Sequence, residues 1–169
     1  MKVSFTLSTE IIIEAPPSIV WSIITDTRNY AQWNPFIREM NPVNSDKIMV
    51  GKDIQLICYK AKRQEARLES SHTQSFKAKI IEFLPEQKLS WTGCILSPLI
   101  FEGEHMFALD PITNSNGGDK FTRFIHEENF KGLLLIILKR KLSVDTRSNF
   151  IKMNEALKRV SEDAKINNE

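Results

Sequence analysis

Residues 3–14 alternate apolar and polar positions and then meet Ala15-Pro16-Pro17. Side chains on a strand point to opposite faces at every step, so this alternation predicts an extended first strand. A proline pair cannot continue a central ladder, but a proline fits the first turn of a helix. In "SIVWSIITD" that follows, Ile19, Val20, Ile23 and Ile24 cluster at helical spacing. "TDTRNYAQWNPF" then predicts a turn and a second short helix, ended or redirected at Pro35. From Ile37 the period becomes two again. "IREMNPV", "DIQLICYK", "TQSFKAKIIEF", "KLSWTGCI", "FEGEHMFALDP" and "KFTRFIHEENF" are strand segments, separated by turn-rich breaks at "NPVNSD", "LPEQ" and "DPITNSNGGD". The polar stretch 60–72 reads as an extended or mobile loop. After Gly132 the period changes once more. Leu135, Leu138, Leu142, Asn149 or Phe150, Met153, Leu157 and Val160 follow three- and four-residue steps along a helix without interior glycine or proline.

Seven strands in meander order and one long, single-striped helix predict an α+β architecture. The helix needs an extended apolar surface, and the sheet is the only candidate. A twisted sheet of that size exceeds what one helix covers, so the middle of its inner face is expected to stay open. Parity assigns Phe101, Gly103, His105, Phe107 and Leu109 to the inner face of one strand. Thr122, Phe124, His126, Glu128 and Phe130 share a face of the next, and Leu89 and Trp91 point inward beside them. A connecting loop centred near Ser115-Asn116 would set His105 across from His126, and Phe107 across from Phe124.

Composition narrows the function without naming it. The 169 residues suit one domain spanning 1–169. The 23 basic and 21 acidic residues leave a net charge of +2, too near neutral to argue for nucleic acid or another acidic partner. "YKAKRQEAR" and "KRK" (139–141) gather basic residues, read as solvated surface or as a phosphate or lipid-headgroup contact. Cys58 and Cys94 sit in strand segments outside any metal-ligand spacing, and read as reduced core thiols of a cytoplasmic protein. The polar alternation at the N-terminus argues against a signal peptide, and the aliphatic run "LLLIIL" (133–138) is far short of a membrane span.

The segments "EAPPSIVWSIITDTRNYAQWNPF", "LSWTG", "GEHMFAL", "FIHEENFKGLL" and "NFIKMNEALKRVSE", in this order, resemble the START-like or Bet v 1-like helix-grip superfamily. The resemblance is to its polyketide cyclase/dehydrase and lipid-transport (SRPBCC) branch and covers nearly the whole chain. It implies a curved seven-stranded antiparallel sheet wrapped around the long C-terminal helix, with two short helices after strand 1 and a cavity between sheet and helix. Relatives bind or carry lipids, sterols, quinones, hormones or polyketides, and some catalyse cyclisation or dehydration. No catalytic residue transfers with the resemblance.

The expected function is therefore binding or transport of a small apolar or amphipathic molecule: a lipid, polyketide or isoprenoid. The expected ligand-binding residues are Trp91, His105, Phe107, Phe124, His126, Glu128 and Leu138. His105, His126 and Glu128 carry the candidate chemistry. Two imidazoles and a carboxylate facing an apolar cavity can hold a proton, bind a carboxylate or carbonyl, or form a network that satisfies buried polar atoms between strands. They form no compact ligand motif, so neither a metal nor a cofactor is expected. Trp33 and Phe36 are expected to seal one end of the sheet, with Asn34 bonded to nearby backbone. Two alternatives stay open. One is a cyclase/dehydrase-like enzyme using the cavity histidines; the other is an interaction module using "LLLIIL" beside Lys139, Arg140 and Lys141 for peripheral membrane contact or a homodimer.

Overall fold

Residues 3–59, 73–95, 97–113 and 120–167 are described by the computed structural model. The chain runs β1 (Ser4–Ile13), α1 (Pro17–Thr25), a 3-10 turn (Thr27–Asn29) and α2 (Tyr30–Trp33). Next come β2 (Ile37–Pro42), β3 (Asp53–Tyr59), β4 (Thr73–Leu84), β5 (Lys88–Ile95), β6 (Phe101–Thr113) and β7 (Lys120–Lys131), then α3 (Leu135–Ile166). The loop expected over 60–72 and the turn at 114–119 lie outside the described residues.

All seven strands join one antiparallel sheet in the order β1-β7-β6-β5-β4-β3-β2. The two short helices send the chain from β1 across to the far edge, where the meander begins and returns to β1. This is the α+β helix-grip fold. Pro16 caps α1 in extended conformation and Pro17 opens its first turn, the place where a missing N–H costs nothing. Alternation sorts the faces as expected: Leu89 and Trp91 on β5, His105, Phe107 and Leu109 on β6, and Thr122, Phe124, His126 and Phe130 on β7 are buried.

The β6–β7 register differs from expectation by two residues. His105 pairs with Glu128 and Phe107 with His126, rather than with His126 and Phe124. A two-residue offset preserves side-chain parity, so the same residues face inward against different neighbours. Cys58 is buried but Cys94 is exposed, correcting the expectation of two core thiols. Cys94 stands near the end of β5, where it is exposed and borders the cavity beside Gly93.

The 32-residue α3 lies along the β1 edge rather than over the centre of the sheet. Arg147 Nη1 reaches the Ser8 carbonyl at 3.5 Å, and Lys158 Nζ donates to the Ile12 carbonyl at 2.8 Å. Leu135, Phe150, Met153 and Leu157 are fully buried, as their spacing predicts. At the C-terminal end Ser161 is buried where Val160 was expected, because the stripe drifts with the 3.6-residue turn. Under the C-terminal half of α3 the space is filled by Val20, Ile24, Met40, Ile54, Ile80, Phe107, Leu109 and Phe124. Tyr30 packs into the same core, edge-on to Trp33, and donates to the Ile24 carbonyl. Asn34 Oδ1 accepts from the backbone N–H of Phe36 and of Ile37, both at 2.9 Å, which fixes the bend at Pro35. No described helix is long and apolar enough to cross a membrane.

Candidate functional site

Because α3 follows the β1 edge, a gap is left between its N-terminal half and strands β3 to β6. A cavity of about 400 Å³ remains, lined by Phe36, Leu56, Cys58, Phe76, Ala78 and Trp91 among others. Its size falls in the usual range for small-molecule pockets. The floor is hollow because two glycines face each other across neighbouring strands. Gly93 of β5 pairs with Gly103 of β6, and both line the cavity. A Cβ on Gly103 would lie 2.9 Å from Glu128 Oε1. The missing side chain is what gives the Glu128 carboxyl its room.

Polar groups gather where the cavity meets the filled core, in a hydrogen-bonded row whose proton order can be worked out. The Thr9 hydroxyl donates to the His126 carbonyl at 3.3 Å, an atom that can only accept. Thr9 Oγ1 therefore accepts from Asn154 Nδ2 at 3.0 Å. Asn154 Oδ1 then faces His126 Nδ1 at 2.8 Å, and the imidazole must donate there. His126 Nε2 is left bare and takes the proton of His105 Nε2, also 2.8 Å away. The row ends on the bare Nδ1 of His105, 3.6 Å from Glu128 Oε2.

This row is neutral. Burial lowers the His105 pKa to about 3. Burial, followed by the neighbouring His105, drives His126 well below the usual histidine range. Burial raises the Glu128 carboxyl to about 8. The 3.6 Å approach of His105 to Glu128 has the spacing of an ion pair, but desolvation favours the uncharged form of each partner. Glu128 keeps 18% of its side-chain surface, and it lines the cavity. Burial, with a smaller push from Glu128, raises the Cys58 thiol to about 12, so it is no nucleophile.

Rings brace the row. Trp91 stacks on His105 at 4.4 Å between centroids, and Phe150 stacks on His126 at 3.5 Å. Of the expected site residues, Trp91, His105 and Glu128 line the cavity. Phe107, Phe124 and His126 do not: each is fully buried, and the two phenylalanines belong to the filled core. His126 reaches the cavity only through His105. Leu138 lies on α3, with its side chain outside the described residues. Phe36, expected as an end seal, is instead a cavity wall near His105 and Phe150. Sequence reasoning missed Asn154, Thr9 and the paired glycines. Asn154 had a signal, since it stands four residues after Phe150 within the apolar stripe; the glycine pairing depends on register. Among the described residues no group of three or more His, Cys, Asp or Glu is placed to hold a metal ion.

Solved structures share this architecture at low sequence identity. The Zhui aromatase/cyclase from a Streptomyces species superposes with a TM-score of 0.70 at 10% identity, covering 95% of this chain and 94% of its own. A norcoclaurine synthase variant from Thalictrum flavum, solved with a transition-state analogue, gives 0.68 at 11% identity over 98% of both chains. A protein from Thermus thermophilus gives 0.66 at 12% identity, with 95% and 99% covered. At such identities the likeness shows the fold alone. No curated protein is recognisably similar in sequence. The family model for polyketide cyclase/dehydrase and lipid transport, in contrast, matches residues 4–132, from β1 through the last strand. That family supports a general role in binding or transporting a small molecule. The chain belongs to the polyketide cyclase/dehydrase and lipid transport family of the helix-grip superfamily.

Proposed function

We propose that the protein binds and carries an apolar or amphipathic small molecule in the cavity between the sheet and the N-terminal half of α3. One observation carries this reading: the walls are largely aromatic and aliphatic, while Glu128 and His105 sit together at one end. Such a cavity gains free energy from apolar burial and takes its orientation from a few polar atoms. Native mass spectrometry of protein from its own cells, followed by organic extraction, should release a reproducible bound molecule. Ala78 lines the cavity from β4, and Ala78→Phe should abolish binding of an apolar fluorescent probe while preserving the circular dichroism of the fold. An empty native protein, together with unchanged probe binding in A78F, would overturn the proposal.

A second reading is favoured by the neutral Glu128. A carboxyl with a pKa of about 8 can give up a proton near neutrality, as cyclisation or dehydration of a carbonyl compound requires. Turnover that disappears in Glu128→Gln while ligand binding survives would replace the carrier by an enzyme.

A further inference from the structure

We infer that the ligand is an amphipathic amine, its ammonium group held by Glu128 and His105 and its apolar part lying along the aromatic wall. This rests on the cavity reading above and specifies its ligand. Once the Glu128 proton has been released, the polar end presents only acceptors. The hydrogen-bond order that begins at Thr9 leaves His105 Nδ1 with a lone pair beside Glu128. An ammonium brings three donors and no acceptor, which matches such a set; a carboxylate brings only acceptors.

The charges around the cavity agree. Among the described residues, the charged side chains lining it are Glu128, Asp145 from α3 and Lys77 from β4. Lys77 is exposed and alternates with Phe76 and the buried Ala78, which places its side chain on the outer face of β4. His105 and His126 are neutral, and the Cys58 thiol facing the site from β3 stays protonated. Among the described residues, no lysine or arginine is thus set against Glu128, and the other carboxyl at the cavity is that of Asp145. Trp91, Phe36, Phe76, Phe101 and Phe130 line the same space, and aromatic faces attract a cation. Binding is balanced as a proton release: the ammonium enters with its charge, the Glu128 O–H gives its proton to solvent, and a carboxylate–ammonium pair remains.

The test is calorimetry at pH 7 with three probes of one chain length: n-octylamine, 1-octanol and octanoate. Octylamine should bind about tenfold or more tighter than octanol, the worth of a charge-assisted hydrogen bond, with octanoate weakest. Buffers of different ionisation heat should show about one proton released per amine, and amine affinity should rise about tenfold from pH 6 to pH 7. Glu128→Gln should erase the preference for octylamine over octanol and abolish the proton release. Octanoate binding tighter than octylamine, or amine affinity independent of pH, would overturn the inference and leave the cavity reading standing. Failure of all three probes to bind would overturn both.

Discussion

A single hydrogen at Gly103 stands where any other residue would place a carbon 2.9 Å from Glu128 Oε1. The obstacle is the end of a side chain, so Gly103→Ala should fold, at a cost of about 1 kcal/mol, and push the carboxyl into the cavity. Ligand affinity should then fall more than stability does, which calorimetry and thermal denaturation on the same preparation would show. Equal binding by wild type and G103A would mean that the carboxyl does not set the polar end. Gly132 is a different case. Its φ is +129°, and an added Cβ would lie 2.4 Å from the Ile100 carbonyl oxygen, so the obstacle there is backbone. Both glycines are visible in the sequence, but their reasons are not, because the crowding atoms come from residues distant in the chain or on another strand.

The stripe on α3 was legible as an element. Leu135, Phe150, Met153 and Leu157 all occupy the buried face that their spacing predicts. Leu157→Asp should release the helix from the core, at a cost of about 3–5 kcal/mol for burying a charge among apolar neighbours. An unchanged denaturation midpoint would show that the helix face is wrong. The same face carries Asn154 and Ser161, which helical spacing alone would assign to hydrophobes. Each polar atom of the Asn154 side chain has a partner, and the residue links α3 to β1 through Thr9 and to β7 through His126. Ser161 Oγ is buried without a hydrogen-bond partner. Ser161→Ala should therefore stabilise the protein by about 1 kcal/mol, through a lost desolvation penalty and a better helix former. A lower midpoint in S161A would contradict that reading.

Across the whole molecule, the buried neutral groups make stability depend on pH in a sharply limited window. Between pH 4.5 and about 8 the folded protein keeps the Glu128 proton that the unfolded chain has released, so this group's contribution falls as pH rises. The histidines act oppositely. Below 6.5 the unfolded chain binds protons that His105 and His126 refuse when folded, so their contribution falls as pH drops. The optimum should lie near pH 6.5, with about 1 kcal/mol lost by pH 8 on the alkaline side. Urea denaturation from pH 5.5 to 9 would test this. The alkaline decline should vanish in E128Q; if it persists there, Glu128 is not its source.

What the sequence determined by itself is the set of elements and their inward faces. Periods of 2 and 3.6 are local properties of the backbone, and the apolar residues of β5, β6, β7 and α3 obey them. The quoted segments also sufficed to recognise the family. Tertiary structure decided which inward residues meet. A two-residue difference in the β6–β7 register moved Glu128 opposite His105, and left Phe107 and Phe124 in the filled core. The position of α3 along β1 then divided the interior into a packed end and an open one, with Asn154 at the boundary. Pairing depends on loop geometry and on where a helix comes to rest. Those are long-range outcomes, and local alternation constrains them only to within a face.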